Sequence, residues 1–402
     1  MIQSFHTDMK GVVQFDGSSS EAFDIRCGVK QGCVLAPTLF GIFFAVMLKH
    51  AFGSSTEGVY LHTRSDGKLF SLSRLKAKTK VREVLIRDML FADDAALATH
   101  SEEQLQNLMD TFSEACKDFS LTISLKKTNV MSQGTEQPPS ITISNYELEV
   151  VQEFTYLGST VTDTLSLDTE LNRRIGRATS TLARLTKRVW ENGKLTVTTK
   201  VAVYRACVLS TLLYGSEAWT LYSRQERRLN SFHLRCLRRI LGIKWTDRVT
   251  NVEVLTRANI PSLFTLLQQR RLRWLGHVHR MPDGRIPKDL LYGELATGKR
   301  AKGRPQLRFK DVCKRDMKAL DIDPERWEEL ADDRDRWRQD LGRGLQRGEA
   351  KLRQAAEEKR ARRKNSQQTT PGDSVFKCSH CNRDCHSRVG LYSHNRRCSS
   401  TN

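Results

Sequence analysis

Apolar and polar positions change rhythm twice along this chain. Residues 11–27 alternate loosely as GVVQF, DGSSS and EAFDIRC, which predicts a β-hairpin turning at DGSSS. The run VLAPTLFGIFFAVML (34–48) does not alternate, and it predicts a buried helix from about Thr38 to Lys49, with Pro37 suited to its first turn. At 15 residues it is too short for a membrane span. A second short hairpin is expected over 56–78, turning at SDG (65–67). REVLIRDMLF (82–91) has strand character, ADD is a tight break, and AALATH (95–100) can return as a strand. Ser101 and Gln104 form a capping-box pattern ahead of EEQLQNLMDTFSEACKDF, where Leu105, Leu108, Met109, Phe112 and Ala115 share a helical face. A short strand at LTIS (121–124) and two strands within 141–159 complete an α+β unit with a mainly antiparallel sheet.

After Leu167 the period becomes helical, through LDTELNRRIGRATSTLARLTKRVW, TTKVAVYRACVLSTLLYG, RQERRLNSFHLRCLRRILG and IPSLFTLLQQRRLRWLGHVHRM. Shorter helices are expected around LRFKDVCKRDMKALDI and WEELADDRDRWRQDL. Residues 345–370 are charged and poor in large apolar side chains, as in a linker or a lone solvated helix. The expected organisation is an α+β domain (1–165), a helical region (166–280), a basic helical region (281–344), a charged linker (345–375) and a small terminal module (376–402).

Charge sharpens this division. The chain of 402 residues carries a net charge of +20. Residues 1–165 hold 15 Lys/Arg against 20 Asp/Glu, while the remainder holds 51 against 26. A basic back half fits a polyanionic partner, of which nucleic acid is the commonest, against the plainer reading of a basic surface that aids solubility or nuclear entry. The N-terminal residues lack the basic-then-apolar pattern of a secretory signal, and the cysteines do not read as a disulfide framework. Both point to a reducing intracellular setting, nucleus and/or cytoplasm, with no membrane partner.

Four of the ten cysteines crowd into FKCSHCNRDCHSRVGLYSHNRRC near the C-terminus. Cys378, Cys381, His394 and Cys398 follow C-x2-C-x12-H-x3-C, the spacing of a ββα zinc finger with cysteine last. Two ligands would come from a hairpin and two from one helix face, since i and i+4 are neighbours there. Cys385 is assigned to packing, and His380 and His386 to the surface. Arg383, Arg388, Arg396 and Arg397 make nucleic-acid contact plausible, with a protein partner as the other reading.

The remaining chemistry centres on MLFADDAAL (89–97), where Asp93 and Asp94 sit between apolar runs. An acidic pair in a turn is usually just solvated. Strands on both sides would instead hold the carboxylates at a rigid tip, as Mg²⁺ on nucleotide phosphates requires. In this setting the sequence resembles the reverse transcriptase of LINE-type, non-long-terminal-repeat retrotransposons. FADD (91–94) is similar to the family's catalytic aspartate box, which implies a metal-ligand role for Asp93, a supporting one for Asp94, and a place beside the nucleotide for Phe91. GVKQGCVLAPTLFGIF (28–43) resembles the preceding box, which implies a nucleotide- and template-facing loop at Gly28, Gln31 and Gly32. ISLKKTNVM (123–131) aligns the family's lysine with Lys127, a charge partner or proton donor near the triphosphate. FTYLGS (154–159) looks like the primer-gripping hairpin, with Tyr156, Leu157 and Gly158. RILGIKWTDRVTN, QRRLRWLGHVHRM and the terminal finger resemble regions that follow the polymerase in such elements.

The resemblance implies a partial polymerase palm, an RNA-directed DNA polymerase activity, Mg²⁺ or Mn²⁺ at the aspartates and Zn²⁺ at the finger. It also implies RNA and DNA primer–template and deoxynucleoside triphosphates as partners. In-line attack of a primer hydroxyl on an α-phosphate uses two metals about 4 Å apart, held by carboxylates from more than one strand. The further aspartate of the family lies on an upstream strand, and residues 1–27 offer only Asp8, Asp16 and Asp24 in unsuitable settings. The expectation is therefore a fragment that keeps one metal-binding wall and polymerises weakly or not at all. Two alternatives stand beside it: a non-catalytic nucleic-acid-binding protein, and a zinc-finger protein-interaction module. The basic helices would run along the primer–template, giving salt-dependent affinity with little sequence choice. Trp219, Trp245 and Trp274 are expected in the core; His277 and His279 lack cysteines at ligand spacing and are not expected to bind metal.

Overall fold

A computed structural model describes residues 7–25, 28, 32–77, 79–298, 306–368, 376–385 and 387–398. Its first part is a mixed α/β region of small, mostly antiparallel sheets. The expected N-terminal hairpin forms in two tiers. The inner strands β2 (Gln14–Phe15) and β3 (Ser18–Ser19) pair, as do the outer strands β1 (Lys10–Gly11) and β4 (Phe23–Asp24). Helix α1 (Ala36–Phe52) starts with Pro37 in its first turn, where a missing N–H costs nothing. Its apolar residues divide between a buried side, Met47, Ala51 and Phe52, and an exposed side, Ile42, Phe43 and Val46.

The second expected hairpin is replaced by a longer-range pairing. Strand β5 (Val59–Thr63) pairs antiparallel with β6 (Arg82–Ile86), not with residues before 78. The expected strand 82–91 divides at Arg87 into β6 and β7 (Asp88–Phe91). Then β7 turns back as β8 (Asp94–Leu97), a two-stranded ribbon rather than the centre of a wide sheet. Helix α2 (Glu102–Asp118) is capped by Ser101, whose side chain accepts from the Gln104 N–H at 3.3 Å, but the reciprocal half of the expected capping box does not form, and Gln104 Oε1 is buried without a partner. It packs on α1 through Leu108, Phe112, Ala115 and Cys116. LTIS (121–124) is not a strand; the strand falls at β9 (Asn129–Val130). After β10 (Thr142–Ile143) and β11 (Tyr146–Glu147), β12 (Glu149–Val150) runs parallel to β9. A last hairpin joins β13 (Glu153–Tyr156) to β14 (Ser159–Thr162).

The helical part follows the predicted period. Helix α3 (Asp168–Arg184) runs on through a π turn (Thr186–Trp190). Helix α4 (Val197–Val203) continues through another π turn (Tyr204–Leu209) to Leu212. Then come α5 (Ser223–Ile240), α6 (Asn251–Ala258) and α7 (Leu263–His279). The first half of α7, with Leu263 and Leu267, closes one core with α3–α6; its second half, with Leu272, Leu275 and Val278, opens a second. That second core is completed by α8 (Ile286–Tyr292), α9 (Phe309–Ala319), α10 (Trp327–Asp332) and α11 (Arg334–Gln368). Gly276 is required here because a Cβ would lie 2.3 Å from Nε1 of the buried Trp337.

Contacts and shared elements cross two of the expected boundaries. Strand β15 (Glu294–Leu295) adds to β5, so residues 59–86 and the basic region share one three-stranded sheet. Leu69 enters the second core, and Glu328 accepts from the N–H groups of Lys68 at 2.7 Å and Leu69 at 3.0 Å. The boundary expected at 344/345 falls inside α11: Leu345 is buried, and Glu349 accepts from Ser262 Oγ at 2.8 Å. Trp219 is 4% exposed and Trp274 packs partly on the second core, but Trp245 is 90% exposed, against expectation. It opens a single 3-10 turn, Trp245–Asp247, closed by the Lys244 N–H on Asp247, and this turn is too short to form an apolar stripe that would draw it inward. Among the described residues no helix is long and apolar enough to cross a membrane.

Candidate functional site

The acidic tip is built by local pairing. Phe91 and Asp94 are register partners, so Ala92 and Asp93 form a two-residue turn. Ala92 takes φ +54°, a region that a Cβ makes costly, on the order of 1 kcal/mol. Asp93, Asp94 and Phe91 are all exposed, Phe91 by 66%. Two adjacent carboxylates at a fixed tip suit a cation that keeps waters and phosphate oxygens as its other ligands. Among the described residues no third His, Cys, Asp or Glu joins them in a metal-sized cluster. Asp16 and Asp24 sit exposed in the N-terminal hairpin, and Asp8 is exposed in the turn before it.

A second hairpin stands beside the tip. Tyr156 Oη donates to the Met89 carbonyl at 3.2 Å, tying β13 to β7. Burial, and then the Asp94 carboxylate, hold the Tyr156 phenol above its ordinary pKa. The hairpin turns at Leu157 (φ +48°) and Gly158 (φ +80°), the pattern of a type I′ turn. Structure therefore brings Tyr156 beside β7 and within electrostatic reach of Asp94.

The support of this hairpin was not visible in the motifs. Glu170 and Arg174 lie in the buried stripe of α3 with Leu171 and Ala178, their side chains 3% and 4% exposed. They pair at 2.6 Å. Glu170 also accepts from the Thr160 N–H at 2.8 Å, and Arg174 donates to the Gly158 carbonyl. Tyr214 Oη donates to the Leu157 carbonyl at 2.9 Å, with the Arg174 guanidinium 4.5 Å from its ring centre. Arg173 binds Thr155 Oγ1 at 2.9 Å. The available signal was an ion pair at i,i+4 interrupting an apolar stripe.

Other expected residues are placed more loosely. Gly28 and Gly32 both take positive φ, +90° and +87°, in the loop before α1. Gln31 and Arg397's side chain, like most of GKRAKGRP, lie outside the described residues. Lys127 is exposed on a turn. His279 joins Tyr292 Oη at 2.7 Å and Asp332 at 2.8 Å, a structural network.

The C-terminal cluster forms as its spacing implies. Strands β16 (Phe376–Lys377) and β17 (Asp384–Cys385) make a hairpin, followed by helix α12 (Arg388–Cys398). One ligand atom each from Cys378, Cys381, His394 and Cys398 lie within 4.8 Å of one another. The donor set and this closeness fit a tetrahedral Zn²⁺ ion. Backbone N–H groups of Cys381 and His380 draw the Cys378 thiol down to about 6, favouring the thiolate that binds metal. Cys385 stands outside the cluster, and His380 is exposed. His386 is outside the described residues.

Residues 1–161 match the family model for reverse transcriptase (RNA-dependent DNA polymerase). The chain is 27% identical over 272 residues to an uncharacterized transposon-derived protein of Caenorhabditis elegans, covering 63% of this chain and 94% of that one. It is 24% identical over 327 residues to the RNA-directed DNA polymerase from mobile element jockey of Drosophila melanogaster, covering 78% of this chain and 32% of the relative. The corresponding Drosophila funebris protein is 28% identical over 266 residues, 63% of this chain and 26% of its own length. The chain thus spans nearly all of the nematode relative but a third or less of the mobile-element polymerases.

Proposed function

We propose that this chain serves retrotransposon-derived, RNA-directed DNA synthesis, as the match of residues 1–161 to the reverse transcriptase family and the likeness to mobile-element polymerases support. In this reading, residues 1–165 supply part of a polymerase palm. The observation that carries it is the exposed Asp93–Asp94 tip with Tyr156 bonded beside it. Asp93 and Asp94 would hold Mg²⁺ or Mn²⁺, which when bound supplies positive charge to the nucleotide phosphates. Phe91, exposed next to the tip, offers a face to the nucleotide or primer end. Tyr156, Leu157 and Gly158 set the primer hairpin, and the basic helices hold the phosphate backbone of the RNA and DNA strands. The terminal CCHC cluster would hold Zn²⁺, which folds that module and presents Arg383, Arg388 and Arg396.

The 402 residues by themselves bind primer–template better than they extend it. A non-catalytic nucleic-acid-binding role stands as the second reading, in which the Asp93–Asp94 tip takes no part in synthesis. Primer extension with Mg²⁺ or Mn²⁺, beside a binding assay, tests both. The expected result is salt-sensitive binding, slow nucleotide addition, and loss of that addition in Asp93→Ala with affinity retained. Addition that survives Asp93→Ala would remove the proposed site, and absence of any nucleic-acid affinity would remove the function.

A further inference from the structure

Of the six tryptophans, Trp190, Trp219, Trp327 and Trp337 are buried and Trp274 is partly buried. Trp245 alone stands 90% exposed. Its turn is held in place. The Lys244 N–H donates to Asp247 Oδ2 at 2.8 Å, and the Ile243 N–H to the Arg238 carbonyl at 2.9 Å. Arg238 Nη2 reaches the Val249 carbonyl at 3.1 Å and Asn251 Oδ1 at 2.9 Å, fixing the far side of the loop. The indole is thus displayed on a braced turn at the end of α5, where ordering it for a ligand costs little further entropy.

The surroundings are predominantly basic. Arg239 Nη2 bonds Thr186 Oγ1 at 3.0 Å, so the π turn after α3 lies against the end of α5. Lys187, Arg188, Arg239, Lys244 and Arg248 are all exposed on these segments. Over residues 184–191 and 235–248 there are eight basic side chains against two acidic ones, Glu191 and Asp247. Asp247 is already engaged by its own turn. A large flat aromatic surface within a cationic rim is what an unpaired nucleobase and its flanking phosphates require.

We propose that Trp245 is a base-stacking platform for single-stranded nucleic acid, with Lys187, Arg188, Lys244 and Arg248 binding the adjoining phosphates. The proposal rests on the nucleic-acid-binding reading above and adds to it a contact outside the aspartate site. It predicts a preference for unpaired strands, because a base within a duplex cannot offer its face to the indole.

The test is fluorescence anisotropy on the full chain with labelled 20-nucleotide single-stranded DNA, single-stranded RNA of the same sequence, and the duplex. Trp245→Ala is expected to weaken single-strand binding roughly tenfold and duplex binding hardly at all. Trp245→Phe should restore most of the affinity, because the stacking surface returns. Arg248→Ala should instead flatten the salt dependence for all three. Unequal losses on the DNA and RNA arms identify the strand that uses the platform. Intrinsic fluorescence quenched by the oligonucleotide should disappear with Trp245→Ala, while the melting temperature stays at the wild-type value. Equal affinity of wild type and Trp245→Ala for both single strands overturns this proposal and leaves the broader function standing. A wild-type chain that binds none of the three overturns both. A wild-type dimer that becomes monomeric in Trp245→Ala, with single-strand affinity intact, reassigns the residue to contact between copies.

Discussion

The two regions of this molecule bury apolar surface on different scales. Among the described residues, the helices from Asp168 onward share cores of 24 and 15 buried apolar residues, the second borrowing Leu69. In the motif-bearing region α1 and α2 bury seven, and the strands around Ile141 bury four. The same region leaves Phe15, Val34, Ile42 and Val46 more than half exposed. The difference teaches that the recognisable chemistry and the bulk of the packing do not coincide. Short ribbons such as β7–β8 are marginal alone, so their geometry must be held from outside. The clamp of Glu170, Arg174 and Tyr214 on the β13–β14 turn is such a hold, and Tyr156 passes it on to β7.

The sharpest way to break the comparison is to truncate one side of each region. Trp337→Ala should cost about 3–5 kcal/mol, since it empties a fully buried site against Gly276. Ile42→Ala, on the exposed side of α1, should change stability by less than about 0.5 kcal/mol. Denaturant titration of both variants decides it; comparable losses would mean that the α1 face is covered in the folded chain.

Next in size is the clamp. Arg174→Ala leaves the Glu170 carboxylate buried without its guanidinium, a loss of about 3–5 kcal/mol at most sites of this kind. Arg174→Lys keeps the charge but not the fork that serves both Glu170 and the Gly158 carbonyl, and should recover only part of it. Amide exchange would report where the loss falls. Faster exchange at Thr160 and along β7 marks a hold transmitted to the acidic tip; unchanged exchange along β7 would show that the two hairpins are independent.

The smallest effect is confined to acid. His233 is fully buried against Tyr204 Oη at 2.7 Å, and burial pulls its pKa from 6.5 to about 4. The folded state therefore favours the neutral ring. Its contribution is complete above pH 6.5 and is lost as pH falls toward 4, because the unfolded chain takes up the proton first. The shift corresponds to about 3 kcal/mol across that window. His233→Gln should flatten this limb of a stability–pH curve measured by denaturant titration. A limb of the same steepness would place the acid sensitivity in other groups.

Much was legible before any fold was in hand. The 3.6-residue period, the Ser101 cap, the turn between Phe91 and Asp94 and the C-x2-C-x12-H-x3-C cluster all depend on residues close in sequence. Local spacing decides such features, and the structure reproduces them. The partner of β5 was not legible, because β6 lies 19 residues on and β15 more than 200, and alternation does not name a partner. Trp245 was misplaced because a large aromatic is usually buried, while the turn of Lys244 and Asp247 turns this one outward.

By itself, then, the sequence determined most of the helices, the acidic tip, the cysteine–histidine quartet and the uneven charge. Each follows from neighbours a few residues apart or from composition. Tertiary structure alone decided that residues 59–86 join the basic region, that α11 crosses an expected boundary, and that Glu170 and Arg174 hold the hairpin beside Asp94. Those outcomes depend on which buried surfaces and backbone groups find one another across hundreds of residues, and that competition is settled only when the whole chain packs.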